Sequence, residues 1–181
     1  MIAHPDKSRP HIAMKILRLL EKLFTGFFLL VIAISMLTWL GIINPFDSFE
    51  SAMVGKVEDK LRVEASSGNA DAQNKLGTLL YTQAKNKNGD FSEALEWFYM
   101  ATEQQHPIAQ TNLAFAYKAG NGVTKDSEKA ILFFYQGGIN FLKIGFPMDA
   151  KDNVYNISRI NSNHPLREKL IAAIKAYEEQ N

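Results

Sequence analysis

The sequence predicts an all-α protein in which an N-terminal transmembrane helix precedes a short α-solenoid of helix hairpins. Two observations support this fold class. The stretch 23–43, LFTGFFLLVIAISMLTWLGII, contains 21 consecutive residues without a charge. Later in the chain, a pattern of small and aromatic residues recurs with a period of 36–37 residues, which is typical of stacked two-helix units.

Segment 23–43 has the length and composition of a membrane-spanning helix. At about 1.5 Å per residue it measures roughly 30 Å, the thickness of the hydrocarbon core of a bilayer. Its polar residues are Thr25, Ser35 and Thr38, whose hydroxyls can bond to carbonyl groups of the same helix. Trp39 is near one end, where an indole suits the lipid–water boundary. We therefore predict a signal anchor that is not cleaved.

Two alternatives to a signal anchor stay open. One is a core helix of a soluble protein, which would usually be shorter. The other is a cleaved signal peptide, because Ala33-Ile34-Ser35 has the small-x-small pattern of a cleavage site. The apolar stretch nevertheless continues to Ile43, whereas that of a signal peptide covers about 7–15 residues.

The charges that flank the span predict its orientation. The preceding segment contains Lys7, Arg9, Lys15, Arg18 and Lys22, against Asp6 and Glu21. Residues 44–55 contain no Lys or Arg, only Asp47 and Glu50. Because positive flanks stay in the cytoplasm, we expect a single-pass protein of a bacterial inner membrane with its C-terminal domain in the periplasm. Residues 1–22 are either a surface-lying amphipathic helix or, more simply, the charged start of the anchor.

Composition limits the function of the remaining chain. The 181 residues leave about 140 after the anchor, enough for one hydrophobic core. That part carries 15 Lys and Arg against 17 Asp and Glu, so it lacks the basic excess of a nucleic-acid-binding surface. The absence of cysteine excludes disulfides, thiol catalysis and thiolate metal sites.

The repeat is visible when two segments of the chain are aligned. Ala72-Gln73-Asn74-Lys75-Leu76-Gly77 matches Ala109-Gln110-Thr111-Asn112-Leu113-Ala114 at an offset of 37 residues. At an offset of 36, Asp90, Ala94, Trp97, Phe98 and Ala101 match Asp126, Ala130, Phe133, Phe134 and Gly137. The small residues let two helices approach closely, and we expect the aromatic pair of each second helix to pack onto the first.

Turn residues separate the predicted helices. Gly120-Asn121-Gly122 supplies a tight turn with left-handed angles, after which Asp126 or Ser127 caps the next helix. We expect Asn88-Gly89-Asp90 to have the same role in the first unit. The prolines of His106-Pro107 and His164-Pro165 suit the first turn of a helix.

These residues resemble the Sel1-like repeat, a relative of the tetratricopeptide repeat. The second unit matches the family pattern at Ala109, Leu113, Tyr117, Gly120, Gly122, Val123, Asp126, Lys129 and Ala130, and the first at Ala72, Leu76, Gly77, Asp90, Ala94 and Trp97. The first unit departs where Leu80 replaces a tyrosine and where KNKNGD replaces the glycine-rich turn. The second departs at Ala114, which replaces a helical glycine. Residues 65–68 resemble the end of a preceding half-repeat.

The chain is accordingly divided into four predicted parts. These are a cytoplasmic tail (1–22), the transmembrane helix (23–43), a linker (44–56) and the solenoid (57–181). The solenoid comprises repeats at about 70–105 and 107–138 and a divergent cap at 139–181. We expect Asn44-Pro45 to end the first helix. Within the cap we expect helices at about 149–160 and 164–179, the last with one apolar and one charged face.

The sequence offers no candidate for catalysis. None of His4, His11, His106 and His164 has a second ligand at helical spacing, so we predict no metal site. Gly120-Asn121-Gly122 lacks the ending of a phosphate-binding loop, and no nucleophile motif of the GxSxG type occurs. We therefore predict no catalytic residue and no cofactor.

The resemblance implies a binding surface instead. In tetratricopeptide-like stacks the first helices line the concave face, which by position here carries Asn74, Thr78, Tyr81, Thr111, Phe115 and Lys118. Tyr81 and Phe115 are the strongest anchor candidates, because aromatic side chains dominate binding energies. The alternative for Phe115 is that its ring packs on a neighbouring helix.

We therefore expect a membrane-anchored scaffold that binds a protein or peptide partner and no nucleic acid. Two alternatives remain at this point. Some cysteine-rich secreted members of the family are associated with cell-wall or β-lactam hydrolysis, although this chain has none of their disulfides. The domain would otherwise be a cytoplasm-facing adaptor tethered to the membrane.

Overall fold

The computed structural model describes residues 9–41, 47–87 and 89–181, and this part of the chain contains α-helices and no strands. The helices are α1 (Arg9–Trp39), α2 (Asp47–Ser66), α3 (Ala70–Lys87), α4 (Ser92–Glu103), α5 (Pro107–Ala119), α6 (Ser127–Lys143), α7 (Pro147–Ser158) and α8 (Pro165–Gln180). The chain separates into two compact units, Met1–Val54 and Gly55–Asn181. The predicted all-α class is confirmed.

Helix α1, in the first unit, contains the predicted anchor. Its segment Arg18–Trp39 is 22 residues long and apolar enough to cross a membrane, and none of its most apolar window is buried within the protein. The hydroxyls of Thr25 and Thr38 donate hydrogen bonds to the carbonyls of Glu21 and Ile34, at 2.9 and 2.8 Å. These bonds confirm that two of the polar side chains are satisfied by the helix itself.

The end of α1 differs from the prediction. The helix ends at Trp39 and is followed by a turn in which Gly41 has φ of +68°. A left-handed glycine is a common helix terminator. The Asn44-Pro45 stop lies outside the described residues. Helix α2 begins at Asp47, so residues 47–56 of the predicted linker are helical, in keeping with the preference of Asp and Ser for helix starts.

The second compact unit, Gly55–Asn181, is built from helix hairpins. Helices α3 and α4, α5 and α6, and α7 and α8 pack as consecutive pairs, and each pair also contacts its neighbour. Ala65 at the end of α2 is buried against Ala72 and Leu76 of α3. This contact agrees with the interpretation of residues 65–68 as the end of a preceding half-repeat. Phe98 and Phe134 are buried in the interior, as predicted for the aromatic pairs.

Three predicted helix entries, those of α5, α6 and α8, are confirmed. The carboxylate of Asp126 accepts a hydrogen bond from the Lys129 backbone N–H at 3.0 Å and caps α6. The imidazoles of His106 and His164 cap α5 and α8, each accepting a backbone N–H through Nδ1 at 3.2 Å, and each is followed by its proline. Their other ring nitrogens contact carboxylates.

Two expectations for helix starts need correction. The N-cap of α4 is Phe91, which makes no side-chain cap bond, and Asp90 instead accepts bonds from the backbone and hydroxyl of Ser92. The physical reason is that Asp90 lies one residue before the N-cap, so its carboxylate reaches the N–H of Ser92, the first residue of α4, and not the N–H groups of the second and third residues that a capping side chain binds. Asn88 lies outside the described residues. Helix α7 begins at Pro147, two residues before the predicted start, because proline is favoured in a first turn.

Candidate partner-binding groove

A groove of about 530 Å³ lies between α3 and α5, the first helices of the two repeat units. Side chains spaced i, i+3 and i+7 share one face of a helix. Helix α3 contributes Thr78, Tyr81 and Lys85, and α5 contributes Asn112, Phe115, Lys118 and Ala119. Phe98 and Asn121 complete the lining. Four of the six predicted site residues therefore meet in one place.

The apolar walls of the groove are aromatic rings held by other rings. Phe115 is 41% exposed, and its ring meets Phe134 of α6 edge to face with centroids 5.0 Å apart. Tyr81 contacts Phe91 and Phe98 with centroid distances of 4.9 and 6.1 Å. The Phe115 ring therefore packs on a neighbouring helix and also lines the groove, and its role in binding a partner stays a prediction. Rings supported in this way lose little conformational entropy when a partner covers them.

The Tyr81 hydroxyl is also fixed. The Asn121 side-chain amide donates a hydrogen bond to it at 2.6 Å. Asn121 belongs to the turn after α5, where Gly120 and Gly122 have φ of +80° and +71°. The glycine-rich turn of the second repeat therefore orients a groove residue of the first.

The charged residues of the groove are Lys85 and Lys118, and no lining residue is an acid. Lys118 Nζ lies 5.9 Å from the ring centroid of Phe115, within the range of a cation–π contact. Neither lysine forms a salt bridge within the part of the chain that the structure describes. The groove is therefore amphipathic, with aromatic walls and a positive charge on each helix.

Asn74 and Thr111 do not line the groove. Asn74 is buried, and its side-chain oxygen accepts a hydrogen bond from Asn112 of α5 at 3.0 Å. Thr111 is bonded to the side chain of Asn153 in α7 at 3.1 Å. Asn74 and Thr111 occupy equivalent positions in the two repeats, and each faces the first helix of the following pair, α5 or α7. Their polar groups therefore join helices and are not free for a partner.

Sequence reasoning missed Lys85, Phe98, Asn112, Ala119 and Asn121 as groove residues. Helical spacing alone could have found three of them. Counting seven residues from Thr78 gives Lys85, counting three back from Phe115 gives Asn112, and counting four on from Phe115 gives Ala119. Phe98 and Asn121 depend on how the second helix and the turn pack, which local spacing does not encode.

The groove offers no chemistry beyond recognition. It contains amides, hydroxyls, two ammonium groups and rings, but neither carboxylate nor histidine. Across the described residues, no three His, Asp or Glu side chains come together as they would around a metal ion. The side chains of residues 55–181 whose pKa is shifted make contacts within the fold. Burial and the 2.6 Å contact with the Tyr117 hydroxyl raise the pKa of Tyr99.

Comparison with known proteins identifies the repeated unit. The family model of the Sel1 repeat matches residues 70–106 and 107–138. Among solved structures, a match is the crystal structure of a Sel1 repeat protein from Oxalobacter formigenes, with 25% sequence identity and a TM-score of 0.46. It covers 65% of this chain and 86% of that one. No curated protein matches the chain. The helix pairs α3–α4 and α5–α6 thus coincide with the two Sel1 repeats that the family model finds in this chain.

Proposed function

We propose that this protein is a non-enzymatic scaffold of a bacterial inner membrane that presents its repeats to a protein partner in the periplasm. Sel1 repeats form a helical fold of the protein-interaction class. In this proposal residues 1–22 lie in the cytoplasm, residues 23–43 span the bilayer, and the repeats follow a connection that includes the start of α2. An anchor of this kind raises the effective concentration of the repeats near other membrane proteins.

The observation that supports binding is the groove between α3 and α5. It combines two supported aromatic rings with polar and charged groups, and aromatic anchors in a concave surface account for most of the energy at many interfaces. Preformed walls also reduce the entropy cost of binding a peptide or a helix.

The binding proposal is tested by capture from membranes with the full chain. We expect Phe115→Ala to lose the specific partner that the wild-type chain retains. Tyr155→Ala is the matched control, because Tyr155 is 63% exposed on α7 and lies outside the groove. Equal recovery by the wild-type and Phe115→Ala chains would remove the groove as the binding surface.

The topology is tested separately by reporters fused to the C-terminus. We expect alkaline phosphatase, which is active only outside the cytoplasm, to give signal, and green fluorescent protein to stay dark after export. The opposite pattern would establish a cytoplasm-facing adaptor. Release of a clipped, soluble domain would show that the apolar segment is a cleaved signal peptide.

A further inference from the structure

The charge pattern of the groove restricts the chemistry of its partner. Lys85 on α3 and Lys118 on α5 border the same cavity, and its remaining lining residues are neutral. Two ammonium groups on one surface repel each other, and an anionic group placed near both removes that repulsion. A basic segment would meet two like charges with no compensating acid in the lining.

The rings next to the lysines restrict the partner further. Phe115 and Tyr81 are held by Phe134 and Phe91, and Lys118 Nζ lies 5.9 Å from the Phe115 centroid. An apolar side chain seated on these rings would thus bring a nearby carboxylate close to Lys118. The side-chain NH2 groups of Asn112 and Asn121 are bonded to Asn74 and Tyr81, and the carbonyl oxygens of the same two side chains suit the backbone N–H groups of a peptide.

We infer that the groove binds an acidic peptide segment, with an aliphatic or aromatic side chain on Phe115 and Tyr81 and a carboxylate at Lys85 and Lys118. The inference deepens the proposed function and rests on it. A peptide suits the site better than a lipid headgroup, because the walls combine two supported rings with amide groups along about two turns of each helix. The charges set the choice of partner, and the rings supply the contact area.

The test uses the full chain in nanodiscs of a neutral lipid, probed with random peptides displayed on phage. We expect the retained peptides to be enriched in Asp and Glu beside an apolar residue. Their dissociation constants should rise about tenfold or more for the double variant Lys85→Glu/Lys118→Glu. Lys169→Glu is the matched control. Lys169 is exposed on α8, and this substitution makes the same change of charge per site.

The outcomes separate this inference from the function on which it rests. Neutral or basic peptides that require Phe115 and bind the double variant with unchanged affinity would show that the partner is not acidic. The groove would then remain the binding surface. Peptides that bind the Phe115→Ala chain as tightly as the wild-type chain would contradict both the acidic partner and the groove as the binding surface. Binding of phosphatidylglycerol vesicles with the same lysine dependence, without peptide binding, would make the surface a membrane contact and overturn the inference. Lys85→Gln/Lys118→Gln, checked by circular dichroism, provides a milder variant if charge reversal prevents folding.

Discussion

The two Sel1 repeats share one amide–amide hydrogen bond between their two helices. In the first, the Gln104 amide donates to the side-chain oxygen of Gln73 at 2.8 Å. In the second, Asn140 donates in the same way to Gln110, also at 2.8 Å. The partners are related by offsets of 37 and 36 residues, the period of the repeat. A satisfied amide pair thus joins the start of the first helix to the end of the second in both units.

The repeats differ where their two helices approach most closely. In the first repeat, a Cβ on Gly77 would lie 2.7 Å from the nearest ring atom of Phe98, closer than a real Cβ contact. In the second, the equivalent Ala114 is buried in one cluster with Phe134. Phe134 also meets the edge of Phe115, a contact for which the first repeat has Thr78 instead. The position of the ring, Phe98 in the first repeat and Phe134 in the second, therefore decides whether the facing residue of the first helix can carry a methyl group.

The contacts of the two repeats with their flanking helices differ as well. The first repeat is tied to α2 by an ionic cluster in which Arg62 pairs with Glu58 and with Glu93 of α4. The second repeat continues into α7 and α8 through a large apolar cluster that includes Phe134, Ile157 and Leu170. The comparison shows that the amide pair is common to both repeats, while the contacts with the flanking helices are ionic in the first repeat and apolar in the second.

The largest expected effect comes from Gly77→Ala. Alanine is the better helix former by about 1 kcal/mol, but the buried ring of Phe98 leaves its methyl group no space. We expect net destabilisation of about 1–3 kcal/mol, the usual cost of overpacking a core. The measurement is urea unfolding of the full chain in detergent, followed by Trp97 fluorescence in a Trp39→Phe background, which leaves one tryptophan.

The matched change in the second repeat is Ala114→Gly. It should also destabilise, by about 1 kcal/mol or somewhat more, because it removes helix propensity and a buried methyl group. Opposite substitutions at equivalent positions would then both be unfavourable. If Gly77→Ala instead stabilised the chain, Phe98 would have room to move, and the proposed difference between the repeats would be wrong.

The sequence was sufficient to predict most of the fold. The 36–37-residue period located the two repeats, and prolines 107 and 165 located two helix entries, because both signals are local. The start of α2 lies ten residues before the predicted one at residue 57, because Asn44-Pro45 predicts a linker over 44–56. The cap of α4 was missed because Asp90 resembles Asp126 in the alignment but lies farther from its helix.

The site was predicted less completely. Alignment with tetratricopeptide-like stacks located Thr78, Tyr81, Phe115 and Lys118, which lie on the groove. It failed at Asn74 and Thr111, whose polar groups bond to the next first helix. The rotation of each helix about its axis decides between these outcomes. That rotation depends on packing between helices, which a single sequence does not specify.

A smaller effect should distinguish the two helix starts. Asp126→Ala removes the cap of α6 and should lower the free energy of unfolding by about 1 kcal/mol. Asp90→Ala should have a smaller effect, because Asp90 bonds to Ser92 without capping α4. Hydrogen exchange of the first-turn amides, together with urea unfolding, would measure both. Equal effects would show that the two turns are energetically equivalent.

The smallest effect concerns the ionic contact of the first repeat. The hydrogen bond from Arg62 lowers the pKa of Glu93 below its ordinary value of 4.5. A carboxylate with a lowered folded-state pKa stabilises the fold above its unfolded-state pKa, and this contribution is lost as the pH falls through the folded value. Glu93→Gln should thus cost about 0.2–1 kcal/mol near neutral pH, because both partners are partly exposed.

Well below the lowered folded-state pKa of Glu93, where the carboxyl is protonated in both the folded and the unfolded chain, the Glu93→Gln and wild-type chains should unfold at the same urea concentration. Lys129→Gln is the matched control, because Lys129 occupies the equivalent position and its Nζ lies 5.2 Å from the ring centroid of Tyr117. The effect of that change should stay constant from neutral to acidic pH, since the contact between Lys129 and Tyr117 involves no carboxylate. A Glu93→Gln deficit that persisted in acid would mean that Glu93 stabilises the repeat by packing and not by its charge.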